Sequence, residues 1–233
     1  MGTEAIRAEV SSLASLGDPT RRRLYEFVVA QGEPVSRDMA SAGTDIARHV
    51  VKFNLDKLEE EGLLVAEYAR PSGRKGPGAG RPTKFYKRSS REISVSLPER
   101  HYDLAAQLLA EAITVSQKSS ISIDGALKKS ASDFGRVLAD EVNGQLDKRA
   151  SKANVVESVS RVLEAHGYEP RQNGEQLFLS NCPFHALSQE YTSLICGVNH
   201  DLIRAMVEEL PISLAANLEP GDGRCCVTIS GIS

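Results

Sequence analysis

The segment VSRDMASAGTDIARHVVKFNLDKLEEEGLL, from Val35 to Leu64, carries the strongest structural signals of the N-terminal part of the chain. Ser36 is placed to cap a short helix, and Gly43 follows that helix as the predicted turn. A longer helix is predicted from about Asp45 to Glu61, which a glycine ends. The segment therefore predicts a helix, a tight turn and a second helix.

Helices precede this segment and a hairpin follows it. Two helices are predicted in front, one from Glu4 to Leu16 and one that Asp18 caps and that ends at Gly32. Behind it, the segments Leu63 to Arg70 and Thr83 to Arg88 have the composition and alternation of strands. The loop between them, residues 71–82, contains four glycines. Together they predict a β-hairpin with a long tip attached to the helices, which is a wing.

Charge is divided unevenly along the chain. Residues 1–91 hold 16 of the 28 Lys and Arg and 12 of the 31 Asp and Glu, so they carry a net +4, and the remainder carries −7. The run from Arg70 to Arg91 has eight basic residues and no acidic one. Only the N-terminal part is therefore suited to a polyanion such as DNA.

Three segments of this part resemble the winged-helix domain of ArsR-like transcription regulators. They are SLGDPTRRRLYEFV from Ser15, the segment quoted above, and GAGRPTKFYKRS from Gly78. The resemblance covers about the first 90 residues. It implies that the protein binds double-stranded DNA and that the longer helix lies in the major groove.

Basic residues on the longer helix and on the wing are the candidate DNA contacts. Arg48 is the candidate for a base contact because a guanidinium can bind guanine through two hydrogen bonds, although an exposed Arg48 also fits an ordinary solvated helix residue. Arg81, held extended by Pro82, is the candidate for a narrow minor groove. Val50 and Leu55 are expected to face the core. The other expected contacts, mostly to phosphate, are His49, Lys52, Asn54, Arg74, Lys75, Lys84 and Lys87.

All four cysteines lie in the last 52 residues, at positions 182, 196, 225 and 226. In a reduced chain, such a group favours metal binding or redox chemistry over structural disulfides. Its spacing is not that of a zinc ribbon, but three separate predicted elements supply the thiols and could converge. A contrasting interpretation is that some of these cysteines are small buried apolar residues.

The motifs SNCPF, ICGVNH and GDGRCCV resemble, in this order behind a winged helix, the C-terminal domain of SufR-type iron–sulfur sensing repressors and their actinobacterial relatives. The resemblance implies that Cys182, Cys196 and Cys225 bind an iron–sulfur cluster. His200, one helical turn after Cys196, is a candidate fourth ligand, because Cys226 is expected to point to the opposite face of a strand. The same residues also suit zinc held by three thiolates and a histidine, and a domain without any cofactor stays open as well.

The expected fold class is α+β, with three parts. These are a winged helix-turn-helix domain at residues 1–91, a dimerisation helix and helical linker at 92–150, and a small α+β sensing domain at 151–233. The apolar stripe of a helix from Pro98 to Ser116 is expected to form a homodimer interface, with the first helix as a second candidate. An N-terminus without a basic and apolar leader, and apolar runs too short to span a bilayer, predict a cytoplasmic protein without a membrane partner.

These features predict a non-enzymatic repressor whose DNA affinity depends on the cysteine site. A first rival hypothesis is a regulator that senses an organic effector in an apolar pocket, with cysteines that only pack. A second is a thiol enzyme that uses Cys182 or Cys196 as its nucleophile. The sequence has neither a Cys-x-x-Cys pair nor a phosphate-binding glycine loop, which disfavours the second rival.

Overall fold

The computed structural model of the chain describes residues 3–69, 82–147 and 149–232. The chain divides into two units between Val95 and Ser96, each with a hydrophobic core of its own. Within the described ranges, no helix combines the length and apolar character needed to cross a bilayer.

The N-terminal unit consists of helices and a small sheet. Its three strands are antiparallel in the order β1–β3–β2, and the hairpin predicted as a wing is present as β2 and β3. Leu24, Leu55 and Leu58 pack with the fully buried Tyr86 in its core. The elements are α1 (Thr3–Ser15), α2 (Pro19–Gln31), β1 (Val35–Ser36), α3 (Arg37–Thr44), α4 (Arg48–Glu60), β2 (Leu64–Ala69) and β3 (Thr83–Arg88).

The predicted helix caps are confirmed. The Asp18 carboxylate accepts hydrogen bonds from two backbone N–H groups at the start of α2, both at 2.9 Å. Gly32 ends α2 in the left-handed conformation, with φ of 69°. The Ser36 hydroxyl caps α3 by accepting from the Met39 amide at 3.2 Å. Local sequence therefore determines where these helices begin and end.

The turn between α3 and α4 differs from the prediction. Gly43 lies inside α3, and the left-handed residue after the helix is Asp45, with φ of 54°. A Cβ on Gly43 would lie 2.2 Å from the Phe27 ring, so this glycine serves the packing of α3 on α2. Aspartate tolerates the left-handed conformation better than most residues and can make this turn.

The C-terminal unit combines helices with a four-stranded antiparallel sheet in the order β4–β5–β7–β6. α6 packs along α9, and α5 packs on α6. The elements are α5 (Tyr102–Lys118), α6 (Ile123–Asn143), α7 (Lys152–Ala165), β4 (Pro170–Asn173), β5 (Gln176–Leu179), α8 (His185–Glu190), α9 (Thr192–Glu208), β6 (Ala215–Leu218) and β7 (Val227–Ser230).

The structure groups residues 96–147 with the C-terminal unit, whereas the sequence predicted a separate dimerisation helix and linker there. The apolar stripe of α5 is largely covered within the chain, since Ala105, Leu108 and Ala112 are buried. α6 is a central helix that lies between α5 and α9. The α+β character predicted for residues 151–233 extends in the structure to the whole unit.

Candidate functional site

α4 presents a polar outer face, which is the first candidate site. Arg48, His49 and Lys52, all predicted DNA contacts, are exposed on it, while Val51 and Leu55 face the core. The first buried residue of α4 is therefore Val51, where Val50 was expected. The sequence contains two adjacent valines, and a helix that begins at Arg48 turns the second one inward.

Arg48 pairs with Asp38 of α3 through its guanidinium. Both side chains are about two-thirds exposed, at 64% and 66%. The pair lowers the pKa of Asp38 and raises that of Arg48. Because both side chains lie in solvent, water and salt screen this pair, and a bidentate contact to a base can replace it. The pair therefore does not prevent Arg48 from binding a base.

Asn54 does not lie on the outer face. Its side chain is 7% exposed, and its amide donates to the Val50 carbonyl at 2.9 Å. A buried amide with a partner within its own helix cannot reach a phosphate, so the structure does not support the predicted contact. The helical register, which buries every third or fourth residue, explains the difference.

Phe53 occupies the position on the outer face that the sequence prediction overlooked. Its side chain is 68% exposed, next to Lys52 and one turn from His49. A large aromatic side chain that remains in solvent on a polar helix face indicates contact with a partner. The signal was present in the sequence, because residue 53 falls between the buried positions 51 and 54 of the stripe.

Lys84, predicted to bind phosphate, is engaged within the protein. Its ammonium pairs with Glu59 and, at 2.8 Å, with Asp56, and its side chain is 16% exposed. Asp56 also accepts from the Tyr86 hydroxyl at 2.6 Å and from the Arg37 guanidinium at 2.8 and 2.9 Å. This network joins α3, α4 and β3, so Lys84 holds the wing to the helices.

Asp56→Asn is expected to destabilise the N-terminal unit by about 2 kcal/mol at pH 7, because hydrogen bonds to a charged group contribute about 1.5–3 kcal/mol. Burial raises the pKa of Asp56, but bonds from Lys84, Tyr86 and Arg37 outweigh it and lower the pKa overall. The stabilisation is therefore present above the unfolded pKa of about 4 and is lost as pH falls through the lower folded pKa.

Amide exchange of α4 and β3 peptides in a urea series at pH 7, 5, 4 and 3 measures this effect. The difference between the wild type and Asp56→Asn should narrow below about pH 4. Asp45→Asn, at an exposed position, is the matched control and should match the wild type throughout. A difference that stays constant with pH would contradict the role given to the Asp56 carboxylate.

Lys87 is the other predicted wing contact within the described residues, and it lies on the surface. Its side chain is 51% exposed and pairs with Glu67 of the neighbouring strand at 2.7 Å. Arg74, Lys75 and Arg81 lie outside the described residues, so their contacts stay predictions.

The second candidate site is a cluster of the four cysteine thiols in the C-terminal unit. Cys182 contacts Cys225, Cys225 contacts Cys226, and Cys226 contacts Cys196. All four are free thiols. The three that were predicted to be ligands are buried, namely Cys182, Cys196 and Cys225. They come from the loop after β5, from α9 and from the segment before β7. The predicted convergence of three elements is therefore observed.

Cys226 belongs to this cluster, contrary to the expected alternation of a strand. β7 begins at Val227, and the chain bends at Cys226. A bend removes the strict alternation of faces, so Cys226 contacts the thiols of both Cys225 and Cys196. The expectation was wrong because Cys226 was taken as part of a regular strand.

The pKa values of the buried thiols are raised. A hydrogen bond with Cys225, together with burial, raises the pKa of Cys182 far above its ordinary value. Cys182 lowers the pKa of Cys225, but Cys226 and burial outweigh it and raise that pKa to about 12. Burial also raises the pKa of Cys196. Protonated thiols of this kind are poor nucleophiles, which disfavours a thiol enzyme.

Several hydrogen-bond donors face the sulfur atoms. Nearby backbone N–H groups act to lower the thiol pKa values, that of Phe184 for Cys182 and that of Val227 for Cys225. The Asn199 amide donates to the Cys225 sulfur at 3.1 Å. Such donors favour the thiolate form, which is the form that binds metals.

Asn199 and Tyr168 are site residues that the sequence prediction missed. Tyr168 is buried and donates its hydroxyl hydrogen bond to the Asn199 side-chain oxygen. Burial, followed by the nearby thiols, raises the pKa of Tyr168 well above its usual value. Asn199 lies in the ICGVNH motif three residues after Cys196, so helical spacing pointed to it as much as to His200.

The His200 side chain is engaged with β6. Its ring nitrogen Nε2 is 3.3 Å from the carbonyl oxygen of Ala216 in β6. As the side chains stand, no group of three or more His, Cys, Asp or Glu in the described ranges could hold a metal ion. The thiols follow one another as a chain, so ligation requires that their side chains turn toward a common point.

Comparison with known proteins bears on the N-terminal unit. Residues 16–67, from the residues before α2 into β2, match a family model described as a helix-turn-helix domain. No curated protein and no solved structure is significantly similar to the chain. The helix-turn-helix domain indicates DNA binding and transcription regulation, and it favours a regulator over an enzyme.

Proposed function

We propose that the protein is a sequence-specific repressor whose DNA affinity is controlled by an iron–sulfur cluster in its C-terminal unit. The observation that carries the proposal is the group of four thiols, which three separate elements supply and of which Cys225 accepts a hydrogen bond from the Asn199 amide. The expected fold of a basic winged helix followed by a sensing unit fits this function.

The donor set fits an iron–sulfur cluster in its chemistry, because soft thiolate ligands match iron. Cys182, Cys196 and Cys225 would bind it. The fourth ligand is either Cys226 or His200, and the contacts of Cys226 with two other thiols favour Cys226. When bound, the cluster supplies a group that is sensitive to oxidant and to iron supply. Asn199 orients Cys225, and Tyr168 holds Asn199 in place.

The visible spectrum and the iron and sulfide content of protein purified without oxygen test this proposal. The wild type should be coloured, and Cys182→Ser, Cys196→Ser and Cys225→Ser should lose colour, iron and sulfide. Cys226→Ser should lose them as well, while His200→Ala and its control at an exposed histidine, His185→Ala, should keep them.

Two results would contradict the proposal that the protein binds an iron–sulfur cluster. Colourless wild type that contains zinc in a stoichiometric amount would support a zinc sensor. Colourless protein without metal, even after reconstitution with iron and sulfide, would support the organic-effector hypothesis with cysteines that only pack. Where the cluster is present, its removal should change the affinity for a selected DNA site by about tenfold or more, within the usual range of allosteric coupling.

Phe53 is proposed to contact a thymine methyl group in the major groove, since apolar side chains recognise this group. Phe53→Ala should weaken binding to a site selected from random DNA about fourfold, the worth of roughly one buried methyl group. Replacing the contacted thymine with uracil should weaken the wild type similarly and leave Phe53→Ala unaffected.

Tyr191→Ala, at an exposed aromatic residue of the other unit, is the control for this measurement and should bind like the wild type. Equal responses of the wild type and Phe53→Ala to uracil at every thymine of the site would remove Phe53 from base recognition.

A homodimer is proposed because two DNA half-sites require two winged helices. Val10 and Leu13 on α1 and Ile113 on α5 are apolar side chains that remain 44–49% exposed, on the two helices predicted to form the interface. Sedimentation of the purified chain tests this assembly, and a monomeric mass at micromolar concentration, with or without DNA, would contradict it.

A further inference from the structure

The residues just before α5 are bonded to the loop that carries Cys182. α5 begins at Tyr102, although Pro98 was expected to open it. The His101 amide donates instead to the Pro183 carbonyl at 3.1 Å, and the Asn181 side chain donates to the Glu99 carbonyl at 2.9 Å. These residues belong to the C-terminal unit and follow closely after its boundary at Ser96.

Arg100 contacts this loop through its guanidinium. Its Nη1 atom donates to the carbonyl of Cys182 at 3.1 Å and to the Asn181 side-chain oxygen. The same nitrogen is 3.1 Å from the Glu99 carbonyl. A guanidinium is always charged and presents its donors in one plane, so it can bind several acceptors that are held in fixed positions.

Asn181 is fully used by these contacts. It is 6% exposed, and its amide nitrogen also donates to the carbonyl of Gly167 at 2.6 Å. Gly167 has φ of +78°, and a Cβ there would lie 2.9 Å from the His101 ring. The turn before β4, the Cys182 loop and residues 99–101 are therefore packed closely together.

A second set of contacts leads from the same turn to the thiols. Tyr168 follows Gly167 directly and donates to Asn199, which donates to the Cys225 sulfur. Residues 99–101 are thus connected to the cluster through the Cys182 carbonyl on one side and through the Gly167–Tyr168 turn on the other.

We propose that Arg100 and Asn181 form a latch that couples the state of the four thiols to residues 99–101, which lie just after the boundary between the two units. The latch rests on the proposed function, because it is the route by which the iron–sulfur cluster would control DNA affinity. Ligation at Cys182 turns its side chain and shifts the adjoining carbonyl, which is an acceptor of Arg100. Residues 99–101 are held in place while Arg100 is bonded to the Cys182 carbonyl, and loss of this bond releases them.

Alkylation of thiols by N-ethylmaleimide tests the latch in the full-length protein without cofactor or DNA. Arg100→Ala should accelerate labelling of Cys182, located by mass spectrometry, about tenfold or more, and should accelerate amide exchange of residues 99–103. Cys196 should label at the wild-type rate. Arg100→Lys, which keeps the charge and lacks the planar fork, should fall between the two.

Arg171→Ala is the matched control, since this arginine is exposed on β4 and lies 4.0 Å from its nearest carboxylate. It should label like the wild type. Labelling of Cys182 in Arg100→Ala within twofold of the wild type would overturn the latch. Equal acceleration at all four thiols would overturn it as well, because it indicates general loosening of the unit.

A DNA-binding measurement separates the latch from the proposed function. In the wild type and Arg171→Ala, the ratio of Kd values with and without the bound cluster should be about tenfold or more, and in Arg100→Ala it should approach one. A wild-type ratio of one would refute cluster control of DNA binding, while the labelling result would still decide on the latch.

Discussion

Gly135→Ala is expected to destabilise the C-terminal unit by about 3 kcal/mol, although alanine is the better helix former. Gly135 is buried in α6 where this helix meets α9. A Cβ there would lie 2.2 Å from the carbonyl oxygen of Leu202 and 2.9 Å from the Ala205 Cβ. Because the first of these is backbone, the helices must separate to accept one methyl group.

Gly197→Ala in α9 is the matched control, since nothing lies within 4 Å of its Cβ position. It should leave the stability unchanged or raise it by up to about 1 kcal/mol, the propensity difference between glycine and alanine. Urea-dependent amide exchange of α6 and α9 peptides measures both variants. A stability of Gly135→Ala equal to that of the wild type would show that α6 and α9 can move apart at little cost.

This close approach explains why the sequence predicted only a helical linker over residues 92–150 and not the bounds of α6. Its buried face consists largely of small residues, among them Ser130, Ala131, Gly135 and Ala139. Such residues give a weak apolar periodicity, and periodicity is the main sequence signal for a helix. α8 was missed for another reason, because a helix of six residues is too short to show a period.

Elements with strong local signals were predicted closely. β3 has the predicted bounds, Thr83–Arg88, because it is an alternating segment that follows a glycine-rich loop. The caps at Asp18 and Ser36 were also predicted, because capping depends on a few adjacent residues. The position of α5 relative to the Cys182 loop depends on contacts about 80 residues apart, which local patterns cannot reveal.

The candidate sites were predictable to different degrees. Clustering along the chain indicated the cysteine site, but the neighbours that donate to sulfur, such as Asn199, depend on the packing of α9 against the sheet. On α4, the outer face was predicted and its register was not, so Asn54 was included and Phe53 omitted. Neighbouring residues of a helix differ by about 100° in direction, which makes a one-residue error decisive.

Removal of the three basic residues at the wing tip is expected to weaken DNA binding by two to three orders of magnitude at about 0.1 M salt. The variant combines Arg74→Ala, Lys75→Ala and Arg81→Ala. Each phosphate contact that is lost should reduce the slope of log K against log salt by about 0.9. The variant should therefore differ most from the wild type at low salt and approach it near 1 M salt.

A second triple variant shows whether position or total charge matters. Lys128, Lys129 and Arg136 are exposed basic residues of α6, and their replacement by alanine removes the same charge from the C-terminal unit. Fluorescence anisotropy titrations from 0.05 to 1 M salt should give this variant the wild-type slope, because every predicted phosphate contact lies in the N-terminal unit. An equal loss of DNA affinity in both variants would indicate a general charge effect. A wing-tip variant with the wild-type slope would show that the wing does not contact phosphate.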